Sequence, residues 1–270
     1  MHTELISKKV LLIIICYSLV FFGFFTFKYF FESRTKVVFC DVKEGDATYI
    51  RLKNKIDILI DAGATSLVTS CLGTHMPFFD KSIEYAFLTH VKKSQYEGYH
   101  HVLKRYSIRN FIVSTKYSPT TSYQKLTAAL IEDGAQFLHP GAGEVIKISD
   151  GYFRVFWPQT LPTEQNRPLK KHAYTFEFVS SGISLLHIGF FPDVASLKRT
   201  GIDFSDYKFI KVSEYGFNTG LFAEFTALAE DAIFLINRPQ NIAEHLRTEF
   251  LSHSKLRQIN HRGDAVYHTL

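Results

Sequence analysis

The chain has 270 residues, of which 46% are apolar and 15% aromatic, with a formal net charge of +5 at pH 7. This composition excludes a disordered or low-complexity chain and leaves enough sequence past the N-terminal segment for one large domain with a sizeable core. The modest positive excess permits contact with nucleic acid or an anionic membrane surface but demands neither.

Residues 1–9 form a short flank ending in Lys8 and Lys9. Residues 10–27, VLLIIICYSLVFFGFFTF, carry no charge, and with Tyr29 to Phe31 the run reaches the roughly 20 residues a bilayer core requires. The following KYFFESRTK offers no small-x-small cleavage site, so residues 10–31 read as an uncleaved transmembrane signal anchor. Both flanks are basic, with Lys28, Arg34 and Lys36 on the far side, and the orientation stays open. Residues 32–36 read as a polar linker, and residues 37–270 as one domain with no break for a second.

Strands are expected at residues 35–42, 46–53 and 55–63, the first two joined by a turn at Lys43-Glu44-Gly45. The three should neighbour one another as an antiparallel meander. Residues 64–82 read as a long loop. A strand at 85–89 leads into residues 88–98, LTHVKKSQYEG, and a helix is expected over 95–106 with Tyr99, Val102, Leu103 and Tyr106 on one side. Then come a strand at 109–114, a helix at 121–133 stopped by Gly134, and strands at 135–138, 143–149 and 151–157. Residues 158–170 are a Pro-rich polar loop. Strands at 172–180 and 183–188 precede a second half with strand 207–212, helix 220–230, strand 231–237, helix 241–251 and strands near 256–260 and 264–268. Strand-rich stretches closed by helices point to a layered α/β sandwich. Cys16 lies in the apolar segment; Cys40 and Cys71 allow one disulfide at most, and the preferred reading is two unpaired small apolar residues.

The chemistry concentrates after the strand at 85–89. A His at the end of a strand, followed by a tight loop and a helix, is where many hydrolases place a metal cluster. Here His90 is followed by Lys92, Ser94 and Gln95. A protonated Lys has no lone pair to give, and Ser and Gln are poor zinc ligands.

The opening VVFCDVKEGDATYIRLKNKIDILIDAG (residues 37–63) resembles the soluble domain of the ComEC family of DNA-uptake (competence) proteins, which has the metallo-β-lactamase fold. Family members read like F-x-D-V-G-Q-G-D-A, a strand, then L-I-D-x-G. Asp41-Val42, Gly45-Asp46-Ala47 and Ile60-Asp61-Ala62-Gly63 match, while Lys43-Glu44 replaces Gly-Gln. The resemblance covers nearly all of residues 37–270; the multi-helix membrane domain of a full-size competence channel has no counterpart in these 270 residues. It implies an α/β four-layer αββα sandwich, metallo-β-lactamase-like, after one N-terminal transmembrane helix.

The family's metal motifs can be followed onto this chain. Of T-H-x-D-x-D-H-x-x-G, Thr89, His90 and Gly98 survive, while Lys92 and Ser94 stand for the Asp residues and Gln95 for the second His. Phe190 stands where a strand-ending Thr-Gly-Asp would place its metal-bridging Asp. Glu214 and Tyr215 stand for a His-His pair after Lys211-Val212. The resemblance therefore implies a vestigial pocket of His90, Lys92, Ser94, Gln95, Phe190, Glu214, Tyr215 and Asp61, with no catalytic residue, no metal and no cofactor. One His cannot hold a zinc ion that needs about three protein ligands.

Lys92 either fills the pocket, pairing with Glu214 or Asp61, or points to solvent. Asp41 and Asp46 are expected to order turns. His187 is the residue best placed to approach His90, although a structural His is the commoner case.

Two functions follow. The first is a catalytically inactive, membrane-tethered binding protein, its domain outside the cytoplasm. Its ligand would be nucleic acid or a protein partner, met by Lys92-Lys93 with Tyr96 and Tyr99 nearby. The alternative is a zinc- or manganese-dependent hydrolase, a phosphodiesterase or nuclease, with a site rebuilt from His90, His187 and Glu214 and with Asp61 or Asp193 as carboxylates.

Overall fold

The structure is a computed structural model that describes residues 8–31, 35–53, 55–115, 120–159, 172–180, 182–190, 194–213, 232–237, 256–259 and 263–268. The helices expected at 220–230 and 241–251 lie outside the described residues.

Helix α1 (Lys8–Phe31) is the apolar segment. Its side chains from Val10 to Phe24 are exposed. Taken over the described residues alone, no helix is long and apolar enough to cross a membrane.

Two seven-stranded sheets follow. The first holds β1 (Lys36–Phe39), β2 (Thr48–Leu52), β3 (Ile56–Ile60), β4 (Ser82–Leu88), β5 (Ser107–Val113), β6 (Gln136–Leu138) and, from the C-terminus, β14 (Ala265–His268). Its order is β14-β1-β2-β3-β4-β5-β6. β1, β2 and β3 pair as the expected antiparallel meander, and β3 to β6 run parallel. The second sheet holds β7 (Val145–Ile148), β8 (Gly151–Trp157), β9 (Thr175–Ser180), β10 (Ile183–Ile188), β11 (Phe209–Val212), β12 (Ile233–Asn237) and β13 (Leu256–Ile259), in order β13-β12-β11-β10-β9-β8-β7.

Side-chain alternation sorts the core into three layers. Val37, Phe39, Ile50, Ile58, Ile60 and Phe87 point from the first sheet toward Phe153, Phe176, Phe178, Leu185 and Phe209 of the second. Phe87 stacks on Phe176 with ring centroids 4.3 Å apart and meets Tyr174 edge-on at 5.0 Å. Phe39, Phe87, Phe153, Phe176, Phe178 and Phe209 all belong to this inter-sheet layer, where large flat side chains bridge the roughly 10 Å between packed sheets. The other face of the first sheet (Val38, Tyr49, Leu59, Ala86, Phe111) is covered by helices. The other face of the second (Leu186, Ile188, Ile210, Val212) packs on Leu197, Ile202 and Phe204 from α6 (Val194–Lys198) and the 3-10 turn Phe204–Asp206. Helices outside two facing sheets make the four-layer αββα sandwich.

Three local expectations are corrected. Residues 64–82 are not all loop: they contain α2 (Leu67–His75), whose Val68, Cys71 and Leu72 recur at helical spacing and are buried. The helix expected over 95–106 is two short ones, α3 (Lys93–Tyr96) and α4 (Tyr99–Val102), because Gly98 between them packs against the backbone of Ala62. Cys40 and Cys71 are joined in a disulfide, with Cα atoms 5.8 Å apart. α2 folds back over the end of β1 and brings together two cysteines that sequence spacing alone could not pair. Helix α5 (Thr121–Glu132) lies where expected, its Tyr123, Leu126 and Leu130 buried.

Candidate functional site

Strand direction decides where the loops gather. β3 and β4 run parallel, so Asp61 and Thr89-His90 emerge at one end of the first sheet. Asp61 adopts a left-handed φ of 57°, which Asp tolerates better than most residues. One of its carboxylate oxygens accepts the Thr89 N–H at 2.8 Å and the other the Thr89 hydroxyl at 2.7 Å. Asp61 therefore fixes the turn that aims His90. Full burial, and then the neighbouring Asp46, push its carboxyl up to about 8 against the pull of Lys211 and the Thr89 bonds.

Gln95, which the resemblance sets where a second His is expected, is buried and bonded to Asp46 in both directions. Its Oε1 accepts the Asp46 N–H at 2.9 Å, and its Nε2 donates to Asp46 Oδ2 at 3.1 Å. Its carbonyl also accepts from Ala62 N. The other Asp46 oxygen, Oδ1, lies 3.2 Å from the ammonium of Lys211, which donates to Thr48 Oγ1 at 3.0 Å. Lys211 is 1% exposed and reaches from β11 of the second sheet to the first. This Asp46–Lys211–Gln95 network is the polar centre of the site. Sequence reasoning missed Lys211 and gave Asp46 only a turn-ordering role. The available signal was a lone charge in the otherwise apolar strand FIKV, four residues whose side chains are all buried.

The backbone is tight here. A Cβ on Gly45, at φ 77°, would stand 1.6 Å from the Ser94 carbonyl oxygen, and one on Gly98 would stand 1.9 Å from that of Ala62. Only glycine permits either approach. Buried Ser94 is held in place by the first of these, and its hydroxyl has no hydrogen-bond partner among the described residues. Lys92 is half-buried at the start of α3.

The second sheet closes the same end. Tyr174 N donates to Thr89 O at 2.8 Å. The next residue, Thr175, donates its hydroxyl to Phe190 O at 2.8 Å. Ser213, just past β11, donates its hydroxyl to Gly189 O at 3.0 Å. His90, Phe190 and Ser213 are thus linked through Tyr174, Thr175 and Gly189. Phe190 is half-buried with its ring 5.9 Å from that of Trp157. Glu214, Tyr215 and Asp193 lie outside the described residues. His187 is buried between the sheets and stacks on Phe176 at 5.0 Å. Burial, then the charge of Lys211, lower it to about 3, so it is neutral near pH 7.

The described donors do not fit a dinuclear metal centre. Gln95 is committed to Asp46, Phe190 has no donor atom, and Ser94 is a poor ligand for zinc or manganese. Both Asp61 oxygens face Thr89, and His187 is sandwiched against an aromatic ring. Elsewhere among the described residues, Cys40, Cys71 and Asp264 bring ligand atoms close together, but the two sulfurs are bonded to each other.

No protein-family model matches the chain, and no curated protein matches it in sequence. Solved structures do match in three dimensions. The chain is similar to the metallo-β-lactamase fold protein YhfI from Bacillus subtilis, with a TM-score of 0.58 and 12% identity over 87% of this chain and 99% of that one. It is similar to zinc-bound PqqB from Methylobacterium extorquens, with a TM-score of 0.56 and 10% identity over 93% of this chain and 91% of that one. A diphosphatase of the PhnP family gives a TM-score of 0.51 and 9% identity over 87% and 98%. The fold is that of the metallo-β-lactamases.

Proposed function

We propose that this chain is a membrane-tethered metallo-β-lactamase-fold protein, related to the ComEC soluble domain, that has lost the fold's metal centre and works by binding. The supporting observation is the two-way bond between Gln95 and Asp46. The residue that the resemblance sets at a metal-ligand position is instead tied into the scaffold, which removes one of the roughly three protein ligands that would hold a zinc ion and activate its water. The ligand is nucleic acid or a protein partner, met at the strand ends by Lys92 and Lys93.

Helix α1 is the anchor. Among the described residues, none of its apolar side chains joins the core of the domain, and lipid is the solvent in which a helix of this composition is stable. The Cys40–Cys71 disulfide supports a domain outside the cytoplasm, since disulfides persist in oxidising compartments.

The competing reading is a zinc- or manganese-dependent phosphodiesterase or nuclease. What favours it is His90, still held at the end of β4 by the Asp61–Thr89 bonds. Elemental analysis of the purified full chain, after dialysis against zinc and then buffer, decides between the two. Metal below ~0.1 per chain is expected, because an intact multi-ligand site would not empty. One or two retained ions, with phosphodiesterase activity abolished by His90→Ala, would establish the hydrolase instead.

A further inference from the structure

We infer that the end of the first sheet opposite the candidate site is a membrane-docking surface, with Phe78 and Phe79 seated in the interface of the bilayer that holds α1. The inference rests on the reading of α1 as an anchor. It adds which face of the domain meets lipid and which way the site points.

Strand directions define the surface. β1 and β2 are antiparallel, β2 and β3 antiparallel, and β3, β4 and β5 parallel. β1, β3, β4 and β5 therefore all begin at one end, and His90 and Asp61 stand at the other. Between Phe31 at the end of α1 and Lys36 at the start of β1 the chain is short, and its full extension reaches about 17 Å. The end where β1 begins is thus held close to wherever α1 is held.

Among the described residues of the domain, that end carries the most exposed aromatic. Phe78 is 91% exposed and Phe79 68% exposed, in the connection from α2 to β4. Two adjacent Phe side chains this exposed are costly in water and suited to a membrane interface. They lie beside the tether: the Lys36 ammonium donates to the carbonyl of His75, three residues before Phe78, at 2.6 Å.

The charges around the pair fit an anionic headgroup layer. The Lys81 ammonium sits over the rings of Phe78, at 5.4 Å, and Tyr106, at 5.2 Å. Lys55, in the turn from β2 to β3, and Lys104 and Arg105, just before β5, are exposed at the same end. Asp80, the nearest acid in sequence, is turned back onto the buried Arg51 at 3.1 Å. Aromatic rings with lysines above them are how interfacial segments divide between acyl chain and headgroup. With this end on the bilayer, His90 and the strand-end loops face away from lipid, toward a ligand arriving from solution.

The test uses the full chain in vesicles of phosphatidylcholine with phosphatidylglycerol, and compares Phe78→Trp with Gln124→Trp. Gln124 is exposed in the first turns of α5, at the site end. Wild-type Trp157, the only Trp, supplies the background to subtract. Lipids brominated at shallow acyl positions should quench the added indole of Phe78→Trp by about twofold and leave that of Gln124→Trp unquenched. A carbonate wash of the same vesicles reports separately on α1. A retained chain with the added indole unquenched in both variants would overturn the docking surface and leave the anchor standing. A blue-shifted but unquenched indole in Phe78→Trp would mean that protein covers it, and would also overturn the proposal. A chain released by carbonate would overturn the anchor itself.

Discussion

The ammonium of Lys211 lies 3.2 Å from Asp46 Oδ1, and the pair, buried to about the last few per cent of surface on both sides, ties the second sheet to the first beneath the candidate site. Attraction between buried charges is strong, but so is their desolvation, so the pair gives its clearest signal when one partner is removed. Lys211→Met should destabilise the chain by about 3–5 kcal/mol, because Asp46 is left charged and buried. Adding Asp46→Asn to Lys211→Met should recover more than half of that loss. Urea unfolding of the full chain in micelles, run as a double-mutant cycle, measures both. Additive losses would show that the two do not act as a pair.

His187 sets an acid limit. Its folded-state value, about 3, lies below the ordinary 6.5. Near neutral pH both folded and unfolded forms hold it uncharged. As pH falls below about 6.5 the unfolded chain takes up the proton and the folded chain does not, so stability is lost between roughly pH 6.5 and 3. The loss approaches ~4 kcal/mol at the acid end. His187→Leu should unfold at about the same denaturant concentration as wild type at pH 7.5 and tolerate pH 4.5 better. Equal acid sensitivity in the two proteins would refute the assignment.

The Cys40–Cys71 disulfide spans a sequence separation of 31 residues. Closing a loop of that size contributes about 3–4 kcal/mol by the chain-entropy account. Dithiothreitol, or Cys40→Ala with Cys71→Ala, should lower the unfolding midpoint accordingly. Thiol labelling before and after reduction should find Cys16 alone, then all three cysteines.

Two glycines should respond in opposite senses to alanine. Gly98→Ala places a methyl 1.9 Å from the Ala62 carbonyl oxygen and should cost about 2 kcal/mol or more. Gly73 lies within α2 with open space at its Cβ, so Gly73→Ala should stabilise by roughly 0.5–1 kcal/mol. Thermal unfolding of the two variants beside wild type checks the contrast.

Much of this was legible in the chain because it is local. The runs KVVF, TYIRL and IDILI are strands from their own side-chain pattern, and Gly45 marks the turn between the first two. That Lys92, Ser94, Gln95 and Phe190 make a poor set of metal ligands was also readable, since a residue's capacity to bind metal lies in its own atoms. What required tertiary structure was pairing across distance. Lys211 and Asp46 are 165 positions apart, and no spacing rule joins a strand in one sheet to a turn in the other. Cys40 met Cys71 only because α2, itself read as loop, folds back over β1. The helix expected over 95–106 broke because the Ala62 backbone occupies the space beside Gly98. By itself the sequence determined the strands, the apolar segment and the scarcity of strong metal ligands after β4, all of which depend on neighbouring residues or single side chains. The partners of each buried charge and sulfur were decided only by packing one sheet on the other, since a buried group must satisfy itself with whatever the fold brings within about 3 Å.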